Sequence, residues 1–359
     1  MMRLSRFPAQ TILSTFCFLL IGFLMAGCGA GEGASAEAES DASGGSAEVK
    51  KYTALGATFP AILYEKWFEV YNEQNPGVEF TYVAKGSGVG VRHFTQNLVA
   101  FGTSDAAMSD EEIAKVPQGV VMLPMTAGSV VLAYNLSGVE ELKLSRENLV
   151  AIFMGEITRW DDPKLTEDNP GLPAIPITVV RREGSSGTTF ALTQHFSAVS
   201  EKWKEKVGAG KSVQWPVGVP ARGNRGVAEA LEENKGSIGY VEYGYALEQK
   251  MSTARLENKA GNYISPTIAS EQAALANIQL PENLRAFDPD PAGADSYPIV
   301  TFTWWLCYAK YDDPKTAEAV KKLARWAVDR GQAYAEELGY IPLPTEVRVK
   351  VKAALEKIQ

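Results

Sequence analysis

Three short segments of this 359-residue chain share one design: "GATFP" (56–60), "GSGVG" (86–90) and "GSSGTT" (184–189). Each joins glycine to Ser or Thr, and each precedes a stretch with helical spacing. Glycine lets backbone approach a ligand closely. A helix start leaves unpaired N–H groups and a partial positive charge. Loops of this kind, set between strands and helices, can hold an anion without a charged side chain. A turn followed by a helix cap uses the same residues, so the neighbours decide between the two. The third loop follows Arg181 and Arg182 in "RREGSSGTTF".

The rest of the chain alternates in the same way, which predicts an α/β fold. Pro60 opens a helical pattern with Leu63, Trp67, Val70 and Tyr71, and "NPG" (75–77) stops it. "VEFTYV" (78–83) alternates as a strand, "GSGVG" reads as a turn, and Val91, Phe94 and Leu98 mark the next helix. "VVMLP" (120–124), "VVLAYN" (130–135), "IPITVV" (175–180), "SIGYVEY" (237–243) and "YPIVTFTWWLCYA" (297–309) read as strands. "RENLVAIFMG", "GVAEALEENKG" and "KTAEAVKKLARWAVDRG" read as helices, and Val347, Val351, Leu355 and Ile358 favour a last one. About 310 residues follow the polar stretch near the N-terminus, the upper limit for one core, so two lobes are expected.

Composition excludes several function classes. The net charge of −8 argues against nucleic acid. "GAGKS" (208–212) lacks the first glycine and the preceding strand of a phosphate-binding P-loop, and "GSGVG" is not a dinucleotide motif. The two histidines, His93 and His195, fall inside predicted helices away from Ser185 and Ser186, so neither a serine nucleophile nor a zinc site is expected. No cofactor is implied. Cys307, within "FTWWLCYA", reads as a buried, inert thiol.

The first residues describe an export signal: Arg3 and Arg6, then the apolar run 11–26, then Gly27 and Cys28. The run is somewhat short for the ~20 residues of a membrane span. "LMAGC" resembles a bacterial lipobox, with Met25 where Leu is usual; Cys28 would be acylated and become the mature N-terminus. Residues 29–49 carry almost no large apolar side chain and read as a flexible tether. The layout is that of an exported protein held by a lipid at a membrane surface, on its periplasmic or outer face.

"FGTSDAAMSD" (101–110) places Asp105 near the anion loops. The carboxylate could cap a helix over the following residues. It also makes sense beside an anion that carries a proton: phosphate can donate a hydrogen bond to Asp105, whereas sulfate cannot.

The pieces "GATFP", "GSGVGV", "FGTSDAAMSD", "ITRWDDPKL", "VVRREGSSGTTF", "VQWPVG", "GSIGYVEY" and "PIVTFTWW" together resemble the phosphate-binding lipoproteins of bacterial Pst phosphate importers, over almost all of the chain from Tyr52 onward. The resemblance implies a two-lobe periplasmic-binding-protein fold of type II. Each lobe is then a mixed sheet flanked by helices, with the ligand in the cleft between them and no catalysis. It implies phosphate ligands at Thr58, Phe59, Ser87 and Asp105 on one lobe, and at Arg182, Ser186, Gly187 and Thr188 on the other. The implied partners are the permease and ATPase subunits of an ABC importer. The implied lobes are 50–127 plus 300–359, and 128–299. Another protonated oxyanion such as arsenate is the alternative ligand, and a secreted phosphate-ester hydrolase the alternative class.

The chain departs from the family in two of the ligand loops, and "WWLCY" differs from the usual strand in packing character. "GSSGG" in the family is "GSGVG" here, so Gly88 replaces a serine that could support Ser87. The Asp that often pairs with the ligand arginine is Gly184, leaving Glu183 as the neighbouring carboxylate. Arg181, one residue earlier on the strand, is expected to face away from Arg182.

Overall fold

The computed structural model describes residues 49–359. The expected export signal, Cys28 and nearly all of the expected tether lie outside them. The chain begins with β1 (Lys50–Gly56), α1 (Ala61–Gln74), β2 (Val78–Ala84), α2 (Ser87–Thr95), β3 (Phe101–Ser104), α3 (Asp110–Ile113) and β4 (Val120–Tyr134). It continues with β5 (Lys143–Leu144), α4 (Arg146–Phe153), α5 (Pro163–Asp168), β6 (Thr178–Arg182), α6 (Gly187–Val199) and α7 (Glu201–Lys206). Then follow β7 (Val219–Ala221), α8 (Gly223–Glu233), β8 (Ser237–Glu242), α9 (Tyr243–Glu248), β9 (Ser252–Thr253), β10 (Arg255–Glu257) and β11 (Tyr263–Ile264). The last elements are α10 (Ile268–Leu275), β12 (Val300–Tyr308), α11 (Pro314–Asp329) and α12 (Thr345–Leu355). No described helix is long and apolar enough to cross a membrane.

The main sheet runs β2-β1-β3-β12-β4-β8-β6-β7. Its two ends are parallel trios, β2-β1-β3 and β8-β6-β7. Between them β12 and β4 run antiparallel to their neighbours. Parallel strands need helical crossovers, and α1, α2 and α8 supply them. The loops that end β1, β3 and β6 therefore open at the carboxyl ends of parallel strands, where open α/β sheets place ligands.

Two expectations fail in the sheet. Residues 120–124 and 130–135 are not separate strands: β4 is one strand of 15 residues. Pro124 and Gly128 look like breakers, but a bulge absorbs the irregularity. Thr303 pairs with Thr126 and Trp304 with Pro124, so Met125 is the extra residue. β4 also changes partner along its length. Up to Ser129 it pairs with β12; from Val130 it pairs with β8. Further on, the predicted strand 175–180 forms as Thr178–Arg182, starting three residues later and ending two later.

"GSGVG" is not a turn before a helix but the helix start itself, since α2 begins at Ser87. Only Gly86, at φ 105°, makes the turn. Gly90 lies inside the helix because the sheet is too close for a side chain: a Cβ there would stand 2.4 Å from the Thr103 carbonyl oxygen. Leu98, assigned to this helix face, lies beyond its end and is exposed.

The other predicted helices form, although the one expected over 226–236 begins and ends three residues earlier, as α8. In α1, Leu63, Tyr64, Trp67, Phe68 and Tyr71 turn inward. Tyr64, Phe68 and Phe101 pack on Trp305 of β12, and Trp67 donates its indole N–H to the Gly331 carbonyl at 2.7 Å. Asp313 caps α11 ahead of Pro314 at the first turn. In α12, Val347, Val351 and Leu355 are buried while Val349 is exposed, which settles the C-terminal segment as a helix. Cys307 is buried, and burial pushes its thiol up to about 12. Where β4 changes partner, Ser129 donates to Glu271 of α10 at 2.5 Å, and Glu242 ends β8 opposite Val130; both carboxyls are fully buried.

Candidate functional site

Each anion loop reaches its place because a strand end, Gly56, Ala84 or Arg182, is followed within a few residues by a helix start. After β1, Thr58 is almost fully buried. Its Oγ1 accepts from the Asn224 side chain at 3.0 Å and from the Asn224 backbone at 3.3 Å. Its carbonyl accepts from Tyr245 Oη at 2.7 Å. The Phe59 ring is buried against Gly128 of β4, and its carbonyl accepts from Tyr340 Oη at 2.8 Å.

Ser87 is the first residue of α2. Its Oγ donates to Asp105 Oδ2 at 3.2 Å and accepts from the Gly187 N–H at 3.1 Å. Residues 100 positions apart in sequence thus share one hydroxyl. Asp105 is not a helix cap: α3 starts at Asp110, and Ser109 caps it. Instead, its carboxyl is 1% exposed and accepts from Thr303 Oγ1 at 3.0 Å. Burial raises the Asp105 carboxyl to about 7, with Thr303, Arg182 and Ser87 pulling the other way.

Arg182 closes β6. It is 3% exposed, while Arg181 faces the other way and is half-buried. Its backbone N–H donates to Tyr240 Oη, and its Nη1 donates to Thr188 Oγ1 at 3.1 Å. Nε meets no protein acceptor. Burial lowers its pKa, and Asp105 and nearby tyrosines partly restore it. Glu183 does not take over as the partner of Arg182. It turns outward and pairs with Arg222 at 2.8 Å.

Ser186 caps α6, its Oγ accepting from the Thr189 N–H at 3.1 Å, and its own N–H donates to the Lys211 carbonyl. Gly187 and Thr188 form the first turn of α6. Gly187 sits so close to the opposite wall that a Cβ would stand 2.6 Å from Asp105 and from Ser87 Oγ. Six of the eight predicted residues therefore join in direct pairs or through Asn224: Ser87 with Asp105 and Gly187, Arg182 with Thr188, and Thr58 with Thr188. Ser186 stands beside them as the α6 cap, and Phe59 contributes backbone next to Thr58.

Three residues were missed. Asn224, fully buried, bridges Thr58 and Thr188, and its Oδ1 accepts from the Glu242 N–H at 3.1 Å. "ARGNRG" carries the same glycine-before-helix signal as the other loops and could have exposed it. Thr303 and Tyr240 lie on strands buried on both faces, where alternation gives no signal.

A cleft of about 570 Å³ opens beside these groups. Its walls include Lys85, Arg182, Arg222 and Arg225 against Glu65 and Glu183, so an acidic chain presents a locally basic mouth. "GAGKS" starts no helix; the ring Nδ1 of His195 lies 2.8 Å from the Pro289 carbonyl oxygen and that of His93 3.0 Å from the Val89 carbonyl oxygen.

The PBP superfamily domain matches residues 41–330. The phosphate-binding protein PstS of Pasteurella multocida is 38% identical over 314 residues, covering 86% of this chain and 90% of that one. PstS of Haemophilus influenzae is 37% identical, covering 86% and 93%. Among solved structures, a high-affinity periplasmic phosphate-binding protein with phosphate bound at pH 8.5 superposes with TM-score 0.70 at 25% identity, covering 84% and 93%. The phosphate-binding protein of Stenotrophomonas maltophilia shares the fold with TM-score 0.68 at 21% identity, covering 85% and 93%. The two parallel trios joined by β4 and β12 thus form the two-lobe, type II binding-protein fold, and the chain belongs to the PstS family of phosphate-binding proteins.

Proposed function

We propose that the chain is a receptor that binds inorganic phosphate and delivers it to an ABC-type phosphate importer, without turning it over. One observation carries the reading: a buried guanidinium, Arg182, faces a buried carboxyl, Asp105, across a ring of neutral donors. Arg182 supplies charge and a directed fork. The hydroxyls of Thr58, Ser87, Ser186 and Thr188 and the N–H groups of Phe59 and Gly187 supply the remaining donors. Asp105 accepts the proton that phosphate keeps. Sulfate would leave that carboxylate unpaired, at a cost of several kcal/mol.

The same reading assigns the lobes to 50–127 plus 300–359 and to 128–299. In its favour, β4 exchanges partners at Ser129–Val130, and the Val130 N–H donates to the Ile299 carbonyl at the same level. Phosphate would bridge the lobes and favour the closed state through contacts that exist only there. The closed form is what permease and ATPase subunits would recognise, with acylated Cys28 tethering the receptor to the membrane.

Titration calorimetry on the full chain in detergent tests this. Micromolar protein should give phosphate heat and none with sulfate; the absence of phosphate heat would end the proposal. Arsenate shares the protonated form and should compete. A chromogenic phosphate ester should not be hydrolysed.

A further inference from the structure

One contact across the cleft is not used by phosphate binding itself. Ser185 stands on one rim, and Gly86, Ser87 and Gly88 form the floor opposite. The Gly88 N–H donates to the Ser185 carbonyl at 3.3 Å. A Cβ on Gly88 would stand 2.0 Å from Ser185 Oγ and 2.4 Å from Ser185 Cβ. A Cβ on Gly86 would stand 2.9 Å from the Ser185 carbonyl oxygen. Turning the hydroxyl away relieves the first of these clashes but not the second, because Cβ is fixed by the backbone. The side-chain space of residue 88 is therefore filled from the other side of the cleft, by Ser185.

The neighbouring contacts link the same two rims. Gly187 donates to Ser87 Oγ at 3.1 Å, and Lys211, whose carbonyl holds the Ser186 N–H, pairs with Glu112 at 2.5 Å. All of these contacts require the two rims to be together. Gly88 lies in the first turn of α2, half-buried, with its side-chain direction toward the cleft rather than the sheet.

We propose that Ser185 and Gly88 form a size-matched latch that sets how completely the cleft closes, and through closure how tightly the anion is held. The inference rests on the phosphate-binding reading, which supplies its readout. Measured affinity contains the equilibrium between open and closed forms, so a group that obstructs closure weakens binding without touching the ligand. Bulk at residue 88 raises the energy of the closed form alone, and removing bulk at residue 185 restores the fit.

The test is a double-mutant cycle in the full chain: Gly88→Ser, Ser185→Gly and the pair. Phosphate affinity is read by calorimetry, closure by the phosphate-induced fall in radius of gyration in small-angle scattering, and folding by melting without phosphate. Gly88→Ser should lose roughly tenfold or more in affinity and contract less, with its ligand-free melting unchanged. Ser185→Gly alone should cost a few-fold at most, and the pair should recover most of the loss. Phosphate heat in the wild type combined with an unaffected Gly88→Ser, or with a loss that Ser185→Gly does not rescue, overturns the latch. A wild type without phosphate heat overturns the binding reading instead, and the latch falls with it. If Gly88→Ser melts early, Ser185→Leu carries the same test from the opposite rim: normal contraction and affinity there overturn the latch, and impaired contraction supports it.

Discussion

Asp105 and Glu271 are both buried carboxyls that accept from a hydroxyl, yet their surroundings differ in sign. Asp105 has Thr303, Ser87 and the Arg182 charge on its side, and burial raises it only to about 7. Glu271 has Ser129, but its charged neighbour is a second acid, Glu242, and burial raises it to about 8. Burial also pushes Glu242 well above the ordinary carboxylate range, and Glu271 adds to it. The contrast teaches that burial alone makes a carboxyl neutral. A nearby cation and directed donors pull against burial, and Asp105 is left to gain or lose its proton at about 7. At the cleft the carboxyl lies beside a cation and can take up or release a proton near neutral pH; where β4 changes partner, two buried acids lie together and favour their protonated forms.

The hardest blow to this contrast is removing the cation. Arg182→Ala should weaken phosphate binding on the order of a thousandfold, since truncating one side of a buried charge pair costs several kcal/mol. Arg181→Ala should stay within a few-fold of wild type; calorimetry compares the two, and equal losses would break the assignment. Next in size, Asp105→Asn should narrow the gap between phosphate and sulfate by roughly tenfold or more, because the amide can donate to sulfate. Competition titrations measure it, and continued failure of sulfate in that variant would refute the role given to Asp105.

A pH series sharpens the same point with the native residue. Below about 7 the Asp105 carboxyl holds its proton and can donate; above it, the group only accepts. Sulfate competition should therefore grow as pH falls through that value and fade as it rises. The smallest effect belongs to Glu271→Gln, an isosteric copy of the protonated acid. Its folded pKa of about 8 lies above the usual 4.5. The contribution of the native group to stability is thus fully present below 4.5 and lost as pH rises to about 8. Melting curves across that window should fall for the wild type and fall less steeply for Glu271→Gln, with a difference within about 1 kcal/mol at the acid end.

The sequence carried the α/β alternation, the loops, Asp105 and the Arg182 orientation, because these depend on local spacing and residue chemistry. It misread β4, since Pro124 and Gly128 break most strands; here the bulge at Met125 follows Pro124, and Gly128 pairs regularly with Thr301. It misread "GSGVG" because glycines lower helix propensity, while the closeness of Thr103 to Gly90 is a packing fact. The partner of Glu183, the bridge by Asn224 and the seat of Ser185 on Gly88 join residues far apart in the chain, and no local pattern encodes them.

The unbroken β4 has a mechanical meaning. A strand shared by both ends of the sheet forbids one end from sliding along the other, because sliding would shear both ladders at once. Bending at the Ser129–Val130 step falls where the partners change, with the Val130–Ile299 backbone bond at the same level. Closure of the kind proposed would then be a rotation about this line rather than a slide, and the loops would return to the same register each time.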